Sequence, residues 1–128
     1  MKQLLVLLLV GLGWVNFALA ASISQAYKNQ QSDVQVKGSG IVVRILEDDN
    51  QGFRHQKFIL KIASNHTILI AHNIDLAPRI NSITNGDTVQ FFGEYEWNDK
   101  GGVVHWTHKD PNGNHLHGWL KHKGRVYD

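Results

Sequence analysis

Residues 101–119, GGVVHWTHKDPNGNHLHGW, hold four of the chain's eight histidines: His105, His108, His115 and His117. Two more stretches concentrate groups able to do chemistry. FRHQKF carries Arg54, His55, Gln56 and Lys57, and HNIDLAPR carries His72, Asn73, Asp75 and Arg79. Three chemistries are open to these side chains. A set drawn from His72, His105, His108 and Asp110 has the nitrogen and oxygen donors that zinc, copper or manganese accept, and such an ion would activate a water. Without a metal, His105 and His108 can serve as general acid and base on a phosphodiester, in a catalytic set with His72 and Asp75. There Asp75 would orient one imidazole and Arg79 would stabilise developing charge. In the third reading, which is the favoured one, Arg54, His55, Asn73 and Arg79 bind an anionic ligand such as a nucleotide, an oligonucleotide or a cell-envelope fragment.

Several alternatives fall away. The chain has no cysteine, which excludes thiol nucleophiles, thiolate zinc sites, iron–sulfur clusters and attached haem. His105-Trp106-Thr107 matches the H-x-T tripeptide of two-histidine phosphoesterases, but a second copy is missing. No serine stands in a G-x-S-x-G elbow, and no H-E-x-x-H occurs. A further alternative is a structural envelope protein without a site, its histidines satisfying a polar core network, and ordinary structural roles compete for these residues. Asp75 and Arg79, four apart, make a common ion pair. DPNGN is a turn in its own right, and Trp97, Trp106 and Trp119 suit a core or barrel closure. His66, His117 and His122 are expected to face solvent.

These groups must be positioned by strands. Val34 to Leu46 is β-branched around Gly38 and Gly40, where a bulge or tight bend is expected. HQKFILKI alternates, with Gln56, Phe58, Leu60 and Ile62 on one face and His55, Lys57, Ile59 and Lys61 on the other. His66 to Ile74, Thr88 to Trp97 and VVHWTH add three strands, and GWLKHKGRVYD reads as a terminal hairpin turning at Gly124. No segment keeps a helical period. The rhythm predicts an all-β fold, a small five- to six-stranded OB-like barrel over residues 34–128. All three polar patches then fall at strand ends, where they would meet in a pocket at the rim.

The N-terminus has a separate purpose. Lys2, the apolar run Leu4 to Val15 and Ala18-Leu19-Ala20 read as a cleaved export signal over residues 1–20. A polar linker over 21–33 follows, its residues 22–33 reading as a linker or a frayed short helix. Location in the periplasm or outside the cell is expected, with no membrane anchor after cleavage and a monomeric chain. The whole sequence carries a formal net charge of +2 with histidines neutral, far from the basic field of a nucleic-acid coat. The histidines make that charge sensitive to pH between about 5 and 8.

The runs LIAHNIDLAPRI, GDTVQFFGEYEWN and GGVVHWTHKDP, with GSGIVVRIL and the H-x-x-GWL-like ending, resemble domain of unknown function family 3465. The likeness spans about Gln30 to Tyr127. That family consists of small exported bacterial proteins with no assigned activity, so the resemblance implies export and leaves mechanism open. It marks His55, Gln56, His72, Asn73, Asp75, Pro78, Arg79, His105, His108, Asp110 and His115 as family-like positions. Lys109 stands where the pattern often has histidine and is not carried over as a ligand. A looser likeness to thermonuclease-type barrels, through GDTV and DLAPR, concerns the fold alone.

Overall fold

The computed structural model describes residues 22–128; the export signal expected over 1–20 lies outside the described residues. A short helix α1 (Ile23–Lys28) precedes seven strands: β1 (Val34–Ile45), β2 (His55–Ala63), β3 (His66–Asn73), β4 (Thr88–Glu96), β5 (Val103–His105), β6 (Trp119–His122) and β7 (Arg125–Tyr127). Five of them close a barrel in the order β1-β2-β3-β5-β4, with β4 returning to β1. β3 and β5 run parallel, and the other neighbours run antiparallel. The expected OB-like barrel is therefore present. β6 and β7 extend the sheet beyond it.

β4 is the organising strand. One edge pairs with β1 from Thr88 to Tyr95. The other is divided: Glu94 to Glu96 pair with β5, and Val89 to Phe92 pair with β6. The chain between β5 and β6, residues 106–118, must leave this edge and come back to it. That excursion carries His108, Asp110 and His115.

Alternation sets the core. Val36, Val42, Phe58, Leu60, Ile68, Ile70, Val89, Phe91, Tyr95, Val104 and Leu120 point inward and are buried. Both ends are plugged. Ile23 and Ala26 of α1 close one, a helix too short to persist without this packing. Ile80 and Ile83, from the segment between β3 and β4, close the other. The buried Gln56 side chain fixes that plug, donating to the Ile80 carbonyl at 2.8 Å and accepting its N–H at 2.9 Å.

Two expectations change. The β1–β2 register shifts between Val42 and Arg44, whereas pairing with β4 runs unbroken past Gly38 and Gly40. Those glycines are demanded by proximity, since a Cβ would meet the Phe91 ring or the Lys61 carbonyl. His122 is not solvent-facing but 1% exposed, with Nε2 2.8 Å from Asp87. That contact, with Thr84 donating from both N–H and hydroxyl, pushes the Asp87 carboxyl down to about 2. The terminal hairpin turns through Lys123 and Gly124, both at positive φ, the backbone of a two-residue hairpin loop.

Candidate functional site

The rim patches become structure. His72 is fully buried; its Nε2 lies 2.9 Å from the Pro78 carbonyl and its Nδ1 2.7 Å from the Thr107 hydroxyl. A carbonyl only accepts, so Nε2 carries the proton and Thr107 donates to Nδ1. Burial, reinforced by His108 and His55 and opposed by the Pro78 hydrogen bond, lowers its pKa to about 4. His72 is a neutral strut with no lone pair to spare. The Asn73 side chain accepts the N–H groups of Asp75 and Leu76, folding its own turn.

Asp75 and Arg79 do not pair with each other. Asp75 takes the Arg54 N–H at 2.8 Å and its Nε at 2.7 Å, and these bonds hold the carboxyl below its ordinary range. Arg79 grips Asp48 at 2.8 and 3.1 Å, which raises its own pKa. Each arginine of the expected anion clamp is thus committed to a carboxylate. His55 bonds the Phe53 carbonyl through Nδ1. His108 is buried with Nδ1 donating to the Lys109 carbonyl. Asp110 receives the N–H groups of Asn112, Asn114 and His115, which lower its pKa; it ties the DPNGN turn.

Imidazole and carboxylate converge elsewhere. Among the described residues, three ligand-type side chains bring their atoms within 4.8 Å of one another at Glu94, Glu96 and His105. His72, His108 and Asp110 contribute nothing to that group, so the four-residue set with His105 is not assembled. Glu94 and Glu96 flank the buried Tyr95 and so project from the outer face of β4. His105 lies directly opposite Glu94 on β5. Its Nε2 is 3.2 Å from Glu94 Oε2 and 3.3 Å from Glu96 Oε1.

The excursion after β5 supplies a second imidazole. Trp106 turns the chain at φ 54°, and its ring stacks on His115 with centroids 4.0 Å apart and planes 10° from parallel. Gly118 closes the excursion, its N–H bonding the His108 carbonyl at 2.9 Å. A Cβ there would collide with the Trp106 and Phe92 carbonyls. Trp106 and Trp119 are half-buried platforms on the outer surface instead of core residues. Trp97 alone of the three packs against the core.

His115 Nδ1 is 2.8 Å from the Leu116 carbonyl, so Nδ1 carries a proton. Its Nε2 lies 3.1 Å from Glu94 Oε1. In a neutral ring two acceptors would then face each other; the contact requires a second proton or a cation. Burial opposes that charge, but the Glu94 and Leu116 hydrogen bonds and the charges of Glu94 and Asp110 outweigh it and raise the His115 pKa. Glu96 is pushed above its usual range by burial and by the neighbouring Asp33 carboxyl, against the pull of His105. Gln35 lies opposite Glu94 on β1, and its amide nitrogen is buried without a hydrogen-bond partner. Two carboxylates therefore share two imidazoles, with Asp33 set against Glu96.

The cluster opens onto a groove of about 380 Å³ across the outer faces of β2, β3 and β5. His55, Lys57, Ala71, Val103, His105 and Glu96 line it, with Asp49 from the β1–β2 loop. In barrels of this type, the face of strands 2 and 3 and the neighbouring loops are the usual binding surface. Of the four histidines expected to share a pocket, His55 and His105 line this groove, whereas His72 and His108 are buried. Glu94 and Glu96 were not singled out in the sequence, although their E-x-E spacing on a strand gives the shared face.

Residues 5–128 match the family described as "Protein of unknown function (DUF3465)", and the chain belongs to it. No curated protein matches the chain.

Proposed function

We propose that this member of the family binds a divalent transition metal through His105, His115, Glu94 and Glu96, and uses the ion to hold an anionic ligand in the adjoining groove. The observation that carries the reading is His115 Nε2, set as an acceptor by the Leu116 carbonyl and aimed at Glu94. A proton resolves the conflict while the ring is charged, and we take a metal cation to replace it once the ring is deprotonated. A ring nitrogen held by a backbone carbonyl is also how metal-bound histidines are oriented. His105 Nε2 lies 3.2 and 3.3 Å from the Glu94 and Glu96 oxygens, close to the edge of about 3.4 Å for a tetrahedron with bonds near 2.1 Å, and His115 reaches the other oxygen of Glu94 from outside that group of three. Two imidazoles and two carboxylates suit zinc, with copper and manganese as competitors.

The ligand class follows from charge. With Arg54 and Arg79 engaged, the ion itself becomes the anion receptor, and Lys57 is the cation of the groove. A phosphate or carboxylate from a nucleotide, an oligonucleotide or a cell-envelope fragment would add a fifth ligand to the four-donor ion, the expanded coordination that zinc reaches in catalytic sites. Export, as the N-terminal sequence suggests, would bring such fragments within reach.

The test is calorimetric titration of metal-stripped protein with zinc at pH 7.5. One equivalent is expected to bind. Glu94→Gln and His105→Ala should each weaken binding by at least roughly 10- to 100-fold, the loss seen when even supporting residues of metal sites are removed. Zinc binding that is absent, or equal in both variants, refutes the reading. Turnover of a phosphodiester by the zinc-loaded protein would extend it from binding to hydrolysis.

A further inference from the structure

A second surface lies across β1, β4 and β6, and it does not depend on the metal reading. Strand register arranges it in two rows. Lys37, Phe92 and Trp119 sit side by side in one, and Ser39, Gln90 and Lys121 in the next. Trp119 rests on Phe92, with centroids 6.1 Å apart, and Lys37 Nζ is 5.8 Å from the Trp119 ring centroid. The rows line a concavity of about 580 Å³ with no carboxylate in its wall. A neighbouring hollow of about 330 Å³ shares Lys37, Gly38 and Ser39 and continues toward Ser22, Asn65 and His66, again without a carboxylate. The two adjoin along Lys37, Gly38 and Ser39.

We infer that this surface binds an acidic oligosaccharide. An indole offers a flat apolar face to the C–H face of a pyranose ring. Ser39 and Gln90 both donate and accept, as sugar hydroxyls require. Lys37 and Lys121 stand two strands apart, roughly 10 Å across the sheet, and form no ion pair with the described carboxylates. They suit carboxylate or sulfate groups on separate sugar units. A single-stranded nucleic acid fits less well, because it calls for several stacking platforms along a basic track. Here one tryptophan faces the concavity, and the chain's net charge is only +2.

The experiment is titration of the full chain with tetragalacturonate in the presence of a chelator, followed by tryptophan fluorescence and calorimetry. Maltotetraose and an eight-residue oligothymidylate serve as comparison probes. Tetragalacturonate should bind, weaken as salt rises, and bind at least tenfold more weakly to Lys121→Ala and to Trp119→Ala. Because Trp119 also supports Phe92, Lys37→Ala and Gln90→Ala provide surface variants that leave the stack intact, and Lys37→Ala should weaken binding as Lys121→Ala does. No tetragalacturonate binding at millimolar concentration, equal binding of maltotetraose, tighter binding of the oligothymidylate, or binding unchanged in the lysine variants would each overturn the inference. The chelator separates this outcome from the metal site, whose failure would leave it untouched.

Discussion

Glu94 meets an imidazole on each of its oxygens: His115 at Oε1 and His105 at Oε2. Replacing it by Gln keeps the shape and removes the charge, so both rings lose the partner that favours cation binding. His115 also predicts how zinc affinity follows pH. The metal needs the deprotonated Nε2, and the His115 pKa lies above 6.5. Affinity should therefore keep rising with pH beyond 6.5, and titrations at pH 6, 7 and 8 will show whether it does. His72 makes a different prediction. Its folded pKa of about 4 lies below the ordinary 6.5, so the unfolded chain binds the extra proton between those values. Stability is then complete above pH 6.5 and falls on acidification toward pH 4, by about 3 kcal/mol from this residue. Denaturant unfolding of wild type and His72→Gln across that window should show the smaller pH slope in the variant. At this scale the sequence singled out one residue of the proposed site, His105. It paired that residue with His108 and left His115 to the turn, and Glu94 and Glu96 look like any solvated face until β4 is placed beside β5. The arginines misled for a related reason: their partners lie 21 and 31 residues away, beyond what local spacing reveals.

The elements that matter most are β4 and the 106–118 excursion. Because β5 and β6 share one edge of β4, the excursion that leaves β5 returns to that same edge, and this brings His115 to Glu94. Gly118 is where the return is tightest. Gly118→Ala should force apart the Trp106 and Phe92 carbonyls, cost roughly 1–3 kcal/mol as overpacking does, and weaken zinc binding by displacing His115. Thermal unfolding and zinc titration of that one variant check both. Strand positions were largely legible, since alternation in HQKFILKI and HTILIAHN gives β2 and β3 almost to the residue. The bulge was not, because glycine signals both bending and close packing, and here it marks the second. Nor was the role of α1 visible: SISQAYKNQQSD is polar overall, and only the position of Ile23 and Ala26 over the open barrel end makes them core.

The described residues form a closed barrel plugged at both ends, with β6 and β7 beside it, so the outer faces carry both proposed sites. The OB-like order could be read from the spacing of short strands and turns, but the face that carries the chemistry could not, because barrel closure alone decides which strand ends meet. The proposed metal, held between β4, β5 and the excursion, would tie three parts of the chain together and bind only the folded form. Zinc at about 100 times its dissociation constant should then add about 2.7 kcal/mol of stability, raising the melting temperature by roughly 10 °C or more for a domain of this size; Glu94→Gln should show little of that rise. The most direct measurement is X-ray absorption at the zinc edge on the one-equivalent complex. Two imidazole nitrogens and carboxylate oxygens near 2.0–2.2 Å are predicted, with one imidazole lost in His115→Ala. An all-oxygen shell, or a spectrum unchanged by that substitution, would contradict the site.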